Sequence, residues 1–311
     1  MREIVAGVDG GGSKTRLILA SETGEELASV EGPRSAMRPG EAEKSGAVIA
    51  ELVREALVNA SIIDGVPTIL YGGFAGVGRE EERRALETEL NRLGVAEEVI
   101  VDNDASIAMT DAFGEGPGII LLAGTGSIAY GRSIDGTFAR CGGWGPVFGD
   151  EGSGFWIGKR ALGIVAAAAD GREPQTALSG SILTATEVGT PEDLIPWAIG
   201  ATNTQIAALA SVVMSTAASG DARANALLSL AAEELVVHLR ALATKLFGDE
   251  RAAIPVALSG GLLQKGSLLR KKLDQRIRSA VPGAQVRPTE IVPARGAVRS
   301  AIRRIRLPSA P

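Results

Sequence analysis

The chain has 311 residues, of which 45% are hydrophobic and 22% charged, and its formal net charge at pH 7 is −5. This length and composition predict a globular protein that can bury two separate domain cores. The scattered Lys and Arg residues argue against a nucleic-acid partner, because phosphate binding needs a clustered basic surface. The single cysteine, Cys141, and the single histidine, His238, exclude an internal disulfide and a zinc site of the Cys/His type.

No segment approaches the roughly 18 to 20 consecutive apolar residues that a membrane-spanning helix needs. The first 30 residues have the pattern of strands and turns and lack the apolar core of a signal peptide. We therefore expect a cytoplasmic protein without a membrane partner.

The first part of the chain has the pattern of a β-meander followed by alternating helices and strands. Three strands are predicted at Glu3–Val8, Lys14–Ala20 and Glu26–Val30, with turn residues between the last two. The elements predicted after them are a helix over Glu41–Asn59, a strand over Thr68–Tyr71, a helix over Arg79–Leu93, a strand over Glu98–Val101 and a helix over Ala105–Phe113.

The opening pattern then recurs about 115 residues later. A strand at Gly118–Ala123, a glycine turn at Gly124–Ser127 and a second strand at Ile128–Ser133 repeat the order strand, glycine turn, strand. Such a recurrence, far longer than the period of a solenoid, predicts a duplicated α/β unit. The remaining predicted elements are a mainly helical region over Asp150–Phe247, a strand over Ile254–Leu258 and a final helix over Val298–Ile305.

The first glycine turn lies in the segment GVDGGGSKTRLIL, Gly7–Leu19. It differs from a Walker A loop because Lys14 and Thr15 come one residue too late and a strand follows. Glycines in a turn between antiparallel strands can bring backbone N–H groups against phosphate oxygens, through positive φ angles and close approach. The alternative is an ordinary hairpin at Gly10–Gly12. The presence of a second glycine turn, Gly124–Ser127, favours phosphate binding over an ordinary hairpin. In this interpretation the two turns hold a triphosphate from both sides.

Three aspartates follow predicted strands directly. Asp9 ends the first strand, where a carboxylate could hold Mg²⁺ or could cap the turn. Asp102 and Asp104 follow a later strand and precede a helix, so at least one is expected to be the helix N-cap. The other is then free to act as the base toward an acceptor hydroxyl in phosphoryl transfer.

The segment Cys141–Gly154, CGGWGPVFGDEGSG, contains many glycines around one tryptophan. It predicts a shaped backbone wall with an acid at its end, which suits the hydroxyls of a sugar. The alternative is a long loop that packs Trp144 inward, with Asp150 or Ser153 capping the next helix. His238 falls on an apolar helical face and is interpreted as a core or interface residue.

Five segments, VDGGGSKT, VDNDA, LLAGTGSIAYG, CGGWGPVFGDEGSGFWIG and LSGGLL, together resemble the BadF/BadG/BcrA/BcrD ATPase family, in particular its N-acetylglucosamine kinase branch. The resemblance covers nearly the whole chain. It implies an α/β protein with two ribonuclease-H-like, actin-like ATPase domains, with ATP and Mg²⁺ in an interdomain cleft. The expected domains are 1–116 with the C-terminal helix 296–308, and 117–295 with a helical insertion. The family also implies a homodimer.

The resemblance assigns roles to individual residues. Asp104 matches the family's catalytic base, and Asp9 is the expected metal ligand. The expected ATP-binding residues are Gly11, Gly12, Ser13, Lys14, Thr15, Gly124, Thr125, Gly126, Gly220, Gly260 and Gly261. The expected sugar-binding residues are Asp104, Ser127, Gly143, Trp144, Gly145 and Asp150.

One departure from the family pattern concerns the sugar. The family has an asparagine shortly after the third strand that touches the sugar, whereas Gly32–Arg38 contains none. Ser35 and Arg38 are the candidates for that contact.

The sequence therefore predicts an ATP-dependent amino-sugar kinase that acts on the 6-hydroxyl of N-acetylglucosamine or a close relative. Glucosamine and N-acetylmuramic acid are the alternative substrates. An ATPase that activates a dehydratase is disfavoured, because an iron–sulfur cluster needs more cysteines than this chain supplies. A sugar sensor without catalysis is disfavoured because Asp9, Asp104 and Asp150 are all present.

Overall fold

The computed structural model describes residues 3–12, 14–63, 65–248, 253–288 and 290–306. Ser13, one of the expected ATP-binding residues, lies outside these ranges. The chain divides into two compact units: unit 1 is Met1–Glu115 with Glu290–Pro311, and unit 2 is Gly116–Thr289.

Ten strands and ten α-helices lie within the described ranges. The strands are β1 (Ile4–Gly10), β2 (Lys14–Ser21), β3 (Glu26–Pro33), β4 (Ile69–Phe74), β5 (Glu98–Asn103), β6 (Gly118–Ala123), β7 (Ser127–Arg132), β8 (Phe138–Gly142), β9 (Ile254–Ser259) and β10 (Ala284–Val286). The helices are α1 (Ala42–Asn59), α2 (Glu80–Arg92), α3 (Asp104–Phe113), α4 (Gly154–Ala169), α5 (Ala177–Thr186), α6 (Leu194–Gly200), α7 (Asn203–Ala218), α8 (Ala222–Phe247), α9 (Leu268–Ala280) and α10 (Pro293–Arg306).

Unit 1 contains a five-stranded mixed sheet in the order β3-β2-β1-β4-β5. The strands β1, β2 and β3 are antiparallel neighbours, which confirms the predicted meander, whereas β4 and β5 add in parallel. Asp9 on β1 is paired with Gly73 on β4, and Gly73 is paired with Asp102 on β5. The register therefore brings both predicted acidic segments to the carboxyl edge of one sheet.

Helices cover both faces of the unit 1 sheet. Residues of α1 and α2 bury Ala6 and Val8 on one face, and α10 buries Val5 and Ile18 on the other, as the two-residue period of a strand requires. The helix α10 begins at Pro293, earlier than the sequence pattern indicated. Proline is favoured in the first turn of a helix, where its missing N–H group costs no hydrogen bond.

An ion pair with a buried carboxylate joins α10 to α3. The Asp111 side chain is 1% exposed and accepts two hydrogen bonds from the Arg295 guanidinium at 2.7 Å each. The Val292 backbone N–H donates to the same carboxylate at 2.8 Å. The carboxylate of α3 thus fixes the start of the C-terminal helix.

Unit 2 repeats the sheet of unit 1. Its strand order is β10-β9-β6-β7-β8, with β6, β7 and β8 antiparallel and β9 and β10 added in parallel. This confirms the predicted duplication of an α/β unit. The sequence pattern did not predict β8 and β10, because both are short edge strands with incomplete burial and little apolar alternation. None of the described helices combines the length and the apolar character that crossing a lipid bilayer requires.

Candidate functional site

In unit 1, Asp9 and Asp104 lie close enough to repel each other electrostatically. Burial, followed by the negative charge of Asp104, raises the pKa of Asp9 to about 6, against the lowering effect of Lys14 and Arg16. Burial also raises the pKa of Asp104, although the Ala105 backbone N–H donates to its carboxylate at 3.0 Å. The fold therefore concentrates negative charge at the carboxyl edge of this sheet, where a cation or a proton would be stabilised.

The predicted N-cap of α3 is wrong. The cap is Asn103, whose side-chain oxygen accepts a hydrogen bond from the Ser106 backbone N–H at 2.8 Å. Asp102 instead accepts a hydrogen bond from the Tyr71 hydroxyl at 2.8 Å and another from the Asn103 backbone N–H at 2.7 Å. Asp104 is the first residue of the helix, so its carboxylate lies beside the positive end of the helix dipole.

We expect Asp9→Asn to stabilise unit 1 at neutral pH in the absence of a divalent cation. Since the folded-state pKa of Asp9, about 6, exceeds its ordinary value of 3.8, the folded protein binds more protons than the unfolded one between these values. Stability is therefore lost as the pH rises through about 6. An asparagine at position 9 does not ionise, so the variant does not lose this stability. Its free energy of unfolding should be higher than that of the wild type by on the order of 1–3 kcal/mol above that pH.

Urea unfolding of wild type and variant without Mg²⁺, at pH 4 and pH 7.5, measures this effect. The gain should be present at the higher pH and nearly absent at the lower. Asp170→Asn on the exposed surface of unit 2 is the control and should give equal stability changes at both. A gain from Asp9→Asn that is the same at both pH values would contradict the proposed cause.

In the first glycine turn, glycine is needed because other groups approach the backbone closely, and not because the backbone has positive φ angles. None of Gly10, Gly11 and Gly12 has a positive φ. A Cβ atom on Gly10 would lie 2.1 Å from the Phe74 ring, so a side chain there would displace the ring. The Gly11 N–H donates to the Lys14 carbonyl oxygen at 3.1 Å and closes the hairpin, whereas the Gly12 N–H donates to no described group.

Two expected ATP-binding side chains of β2 have partners within unit 1. The Lys14 ammonium pairs with the Glu31 carboxylate at 2.9 Å on the exposed surface. The Thr15 hydroxyl is 0% exposed and lies 2.6 Å from the Pro33 carbonyl oxygen and 2.7 Å from Ser35 Oγ. Ser35 itself is 1% exposed, so of the two candidate replacements for the family's asparagine only Arg38 is at the surface.

In unit 2, the second glycine turn is tied to the start of α4. The Gly124 N–H donates to the Gly126 carbonyl oxygen at 2.9 Å, which closes the turn. The backbone N–H groups of Gly154 and Phe155 donate to the carbonyl oxygens of Gly124 and Thr125 at 2.8 and 3.1 Å. The turn therefore has a fixed shape, and the N–H groups of Thr125 and Gly126 donate to no described group.

Ser127 joins this turn to the acidic end of the glycine-rich segment. Its hydroxyl donates to the Glu151 carbonyl oxygen at 2.7 Å, and its backbone N–H donates to the Asp150 carboxylate at 3.3 Å. Burial raises the pKa of Asp150, and the hydrogen bond from Ser127 acts in the opposite direction. The structure thus brings together two residues that the sequence assigned to the sugar.

The glycine-rich segment points its tryptophan outward. Gly142 and Gly143 have φ angles of +76° and +70°, a conformation that side chains rarely adopt. Trp144 is 59% exposed, with the Arg140 guanidinium 4.7 Å from its ring, so the alternative of an inward-packed tryptophan is wrong. The part of that alternative that named Ser153 as a helix cap is confirmed, since Ser153 Oγ accepts from the Trp156 N–H at 3.2 Å.

The three remaining glycines of the expected ATP-binding set, Gly220, Gly260 and Gly261, lie in two loops of unit 2. Gly260 follows β9, and a Cβ atom on it would lie 2.2 Å from the Ala123 carbonyl oxygen, so it packs against the end of β6 beside the second turn. Gly261 begins the 3₁₀ turn Gly261–Leu263. Gly220 lies between α7 and α8, next to Asp221, the N-cap of α8.

Sequence reasoning missed a contact of the glycine-rich segment. His238 of α8 lies with its Nε2 atom 3.4 Å from the Glu151 carboxylate. The apolar spacing of α8 correctly predicted a buried histidine but carried no signal for this partner.

The duplicated sheet, with a glycine turn after the first strand of each copy, defines a two-unit α/β protein of the actin-like ATPase class. The chain belongs to the BadF/BadG/BcrA/BcrD ATPase family, whose sequence pattern matches residues 6–301.

Three similar proteins can be described. An N-acetylmuramic acid/N-acetylglucosamine kinase of Clostridium acetobutylicum is 34% identical over 261 residues, covering 83% of this chain and 85% of that protein. An N-acetyl-D-glucosamine kinase of Dictyostelium discoideum is 30% identical over 97% of this chain and 98% of its own. A crystal structure from Chromobacterium violaceum, of a protein with an inferred N-acetylglucosamine kinase function, has a TM-score of 0.79 and 32% identity and covers 96% of this chain and 98% of that one.

Proposed function

We propose that this protein is an ATP-dependent amino-sugar kinase that transfers the γ-phosphoryl group of ATP to the 6-hydroxyl of N-acetylglucosamine or a close relative. The observation that carries the proposal is the pair of carboxylates Asp9 and Asp104 at one sheet edge, where burial raises both pKa values and the charge of Asp104 raises that of Asp9 further. The kinase names of relatives that cover most of the chain support it.

Asp104 is the proposed catalytic base. Its carboxylate accepts the proton of the sugar hydroxyl as the hydroxyl oxygen bonds to the γ-phosphorus and the bond from that phosphorus to the departing ADP oxygen breaks. A raised pKa makes Asp104 a stronger proton acceptor than an ordinary surface aspartate, provided that the pH lies above that pKa. Asp102 is unsuited to this role because its carboxylate oxygens hold Tyr71 and Asn103.

The proposed ATP contacts are groups of the glycine turns and of the loops near them. In unit 1 they are the Gly11–Gly12 turn and Lys14, with Ser13 as a further proposed contact outside the described residues. Thr15 is fully buried, so we propose that it acts by holding the hairpin in shape. In unit 2 the proposed contacts are the Thr125 and Gly126 N–H groups, which have no described acceptor, with Gly124, Gly220, Gly260 and Gly261.

Mg²⁺ fits the proposed site at Asp9. Within the described ranges no group of three or more His, Cys, Asp or Glu side chains could hold a metal ion. This agrees with Mg²⁺, which usually binds one or two carboxylates and completes its shell with water and substrate phosphates. A cation beside Asp9 would also relieve the repulsion from Asp104. When bound, the ion would neutralise charge on the phosphates.

The proposed sugar contacts are Asp104, Ser127, Gly143, Trp144, Gly145 and Asp150. The exposed Trp144 ring offers a flat apolar surface, and the half-buried Asp150 carboxylate offers hydrogen-bond acceptors for hydroxyl groups. Arg38 is the remaining candidate at the place of the family's asparagine, and it could favour a substrate that carries a carboxylate.

Two further properties belong to the proposal. We place the protein in the cytoplasm because it uses ATP, and we propose a homodimer on the strength of the family. Light scattering of the purified protein during size-exclusion chromatography would give the molar mass of the assembly, against 32.0 kDa for one chain.

A coupled ADP-release assay tests the function. N-acetylglucosamine, N-acetylmuramic acid, glucosamine and glucose are compared with Mg·ATP at equal concentrations, and mass spectrometry of the product locates the phosphate. We expect release of ADP that depends on an amino sugar and yields the 6-phosphate. Sugar binding without ADP release would indicate a sensor, and a coloured protein with an iron–sulfur spectrum would indicate a dehydratase activator.

A further inference from the structure

His238, the only histidine in the chain, is 93% buried in α8, 7% of it being exposed. The α8 residues one turn before and after it, Leu235 and Leu242, are fully packed in the core of unit 2. An imidazole in such surroundings costs free energy unless its polar atoms have partners. We therefore expect that the buried His238 has a structural or functional role besides filling space in the core.

The ring of His238 contacts both ends of the glycine-rich segment. At the beginning, a Cβ atom on Gly142 would lie 3.0 Å from ring atom Cε1 and 3.2 Å from Nε2, so only a glycine lets the backbone pass this close. At the end, the Nε2 atom lies 3.4 Å from the Glu151 carboxylate. One side chain of α8 thus supports the segment where it leaves β8 and where it returns to α4.

The residue after Glu151 packs on the same helix. A Cβ atom on Gly152 would lie 2.6 Å from Leu235 Cγ and 2.7 Å from the Ala231 carbonyl oxygen. The Glu151 carbonyl oxygen is held from the opposite side by the Ser127 hydroxyl at 2.7 Å. Glu151 is therefore fixed through both its backbone and its side chain, and Asp150 directly precedes it.

Asp150 has a backbone conformation that needs such support. Its φ angle is +57°, which is uncommon for a residue other than glycine and costs on the order of 1 kcal/mol or more. The negative charge of Glu151 raises the pKa of the Asp150 carboxylate, and a protonated His238 would lower it. The imidazole and Glu151 are thus both near the acid that is proposed to bind the sugar.

The surroundings of the two ring nitrogens indicate which one carries the proton. The Nδ1 atom is buried and has no hydrogen-bond partner among the described residues. A proton there would have no acceptor, whereas a proton on Nε2 faces the Glu151 carboxylate. The geometry favours the tautomer with hydrogen on Nε2.

We propose that His238 is a positioning residue of the sugar site, which holds Glu151 and Gly142 so that Asp150 and Trp144 are presented to the sugar. This proposal rests on the proposed sugar-kinase function. It assigns no proton transfer to the histidine, which acts only through the segment that it supports.

The single histidine allows a direct test that does not depend on activity. Protein without a histidine tag and labelled with ¹⁵N only in histidine gives the nitrogen signals of one ring. We expect the Nε2-protonated tautomer in the free protein, a shift of both signals when N-acetylglucosamine is added, and a changed tautomer ratio in Glu151→Gln. An Nδ1-protonated ring whose signals are unaffected by Glu151→Gln would overturn the proposal.

Kinetics of two variants provide the second test. His238→Leu removes the N–H group, and His238→Gln keeps one at a similar distance from the backbone. We expect His238→Leu to raise the KM for N-acetylglucosamine about tenfold while the KM for ATP stays within twofold, and His238→Gln to restore most of the loss. The control is Val237→Ala on the exposed face of α8, which should change neither constant.

The two hypotheses fail in different ways. A wild-type protein that phosphorylates no sugar would contradict the proposed function. An active wild type with an unchanged sugar KM in folded His238→Leu would overturn the positioning role alone, as would equal rises of both KM values. If His238→Leu does not fold, the nuclear magnetic resonance experiment on the wild type and Glu151→Gln still decides the question.

Discussion

Asp104→Asn is expected to reduce phosphoryl transfer by about a thousandfold, the contribution of a well-placed general base. The asparagine keeps the shape of the side chain but cannot accept the proton of the sugar hydroxyl. ATP affinity should stay within a few-fold, because the proposed role of Asp104 is toward the acceptor hydroxyl and not the nucleotide. Steady-state kinetics and calorimetric titration with ATP measure the two effects separately.

Asp102→Asn is the matched control, at the end of β5 and two residues before Asp104. Its carboxylate is engaged by Tyr71 and Asn103, so the variant should retain a rate within about tenfold of wild type. If Asp104→Asn kept a tenth or more of the wild-type rate, Asp104 would not be the base. The pH profile provides a further check, because burial raises the pKa of Asp104 and activity should fall as the pH drops through that raised value.

Asp111→Ala is expected to lower the free energy of unfolding of unit 1 by roughly 1–3 kcal/mol, because the Arg295 side chain is 40% exposed and water partly replaces its lost partner. The substitution leaves the Arg295 guanidinium without its bidentate partner and the Val292 N–H without an acceptor. Both groups then lose their charge-assisted hydrogen bonds to the Asp111 carboxylate, whose side chain is 1% exposed. Urea unfolding of wild type and variant under the same conditions measures the difference.

Glu98→Gln provides the control for this ion pair. Glu98 pairs with Arg304 of the same helix α10 at 2.9 Å, but both side chains are more than a third exposed, so the pair should contribute less than about 1 kcal/mol. An equal effect of the two substitutions would show that burial of Asp111 does not strengthen its contribution. Loss of stability in Asp111→Ala should also appear as faster amide hydrogen exchange in α3 and α10.

Most of the fold could be predicted from local sequence patterns. The meander, the helices around it and the repeat of strand, glycine turn and strand all depend on apolar periods and turn residues within short segments. The patterns failed for β8 and β10, which are short edge strands, and they began the last helix too late. At these places pairing with a neighbouring strand, or a proline in the first helical turn, decides the structure.

The candidate site could be predicted only in part. The motifs identified Asp9, Asp104 and Asp150, but they assigned the cap of α3 to an aspartate, whereas Asn103 fills that position. They offered positive φ angles and close approach as the reasons for glycines in the first turn, and of these only close approach, of the Phe74 ring to Gly10, is found there. Competition between neighbouring polar side chains for one N–H group, and the space left by a ring from another strand, are not local properties.

The sequence by itself determined the order of the elements, the duplication and the family, because periodicity, turn residues and motif spacing are properties of consecutive residues. Only the tertiary structure decided the raised pKa of Asp9, the burial of Thr15 and Ser35, the outward Trp144 and the contact between His238 and Glu151. Each of these depends on which side chains from distant segments share a small volume. Their burial, mutual charge and hydrogen bonds exist only after the sheets and helices have packed.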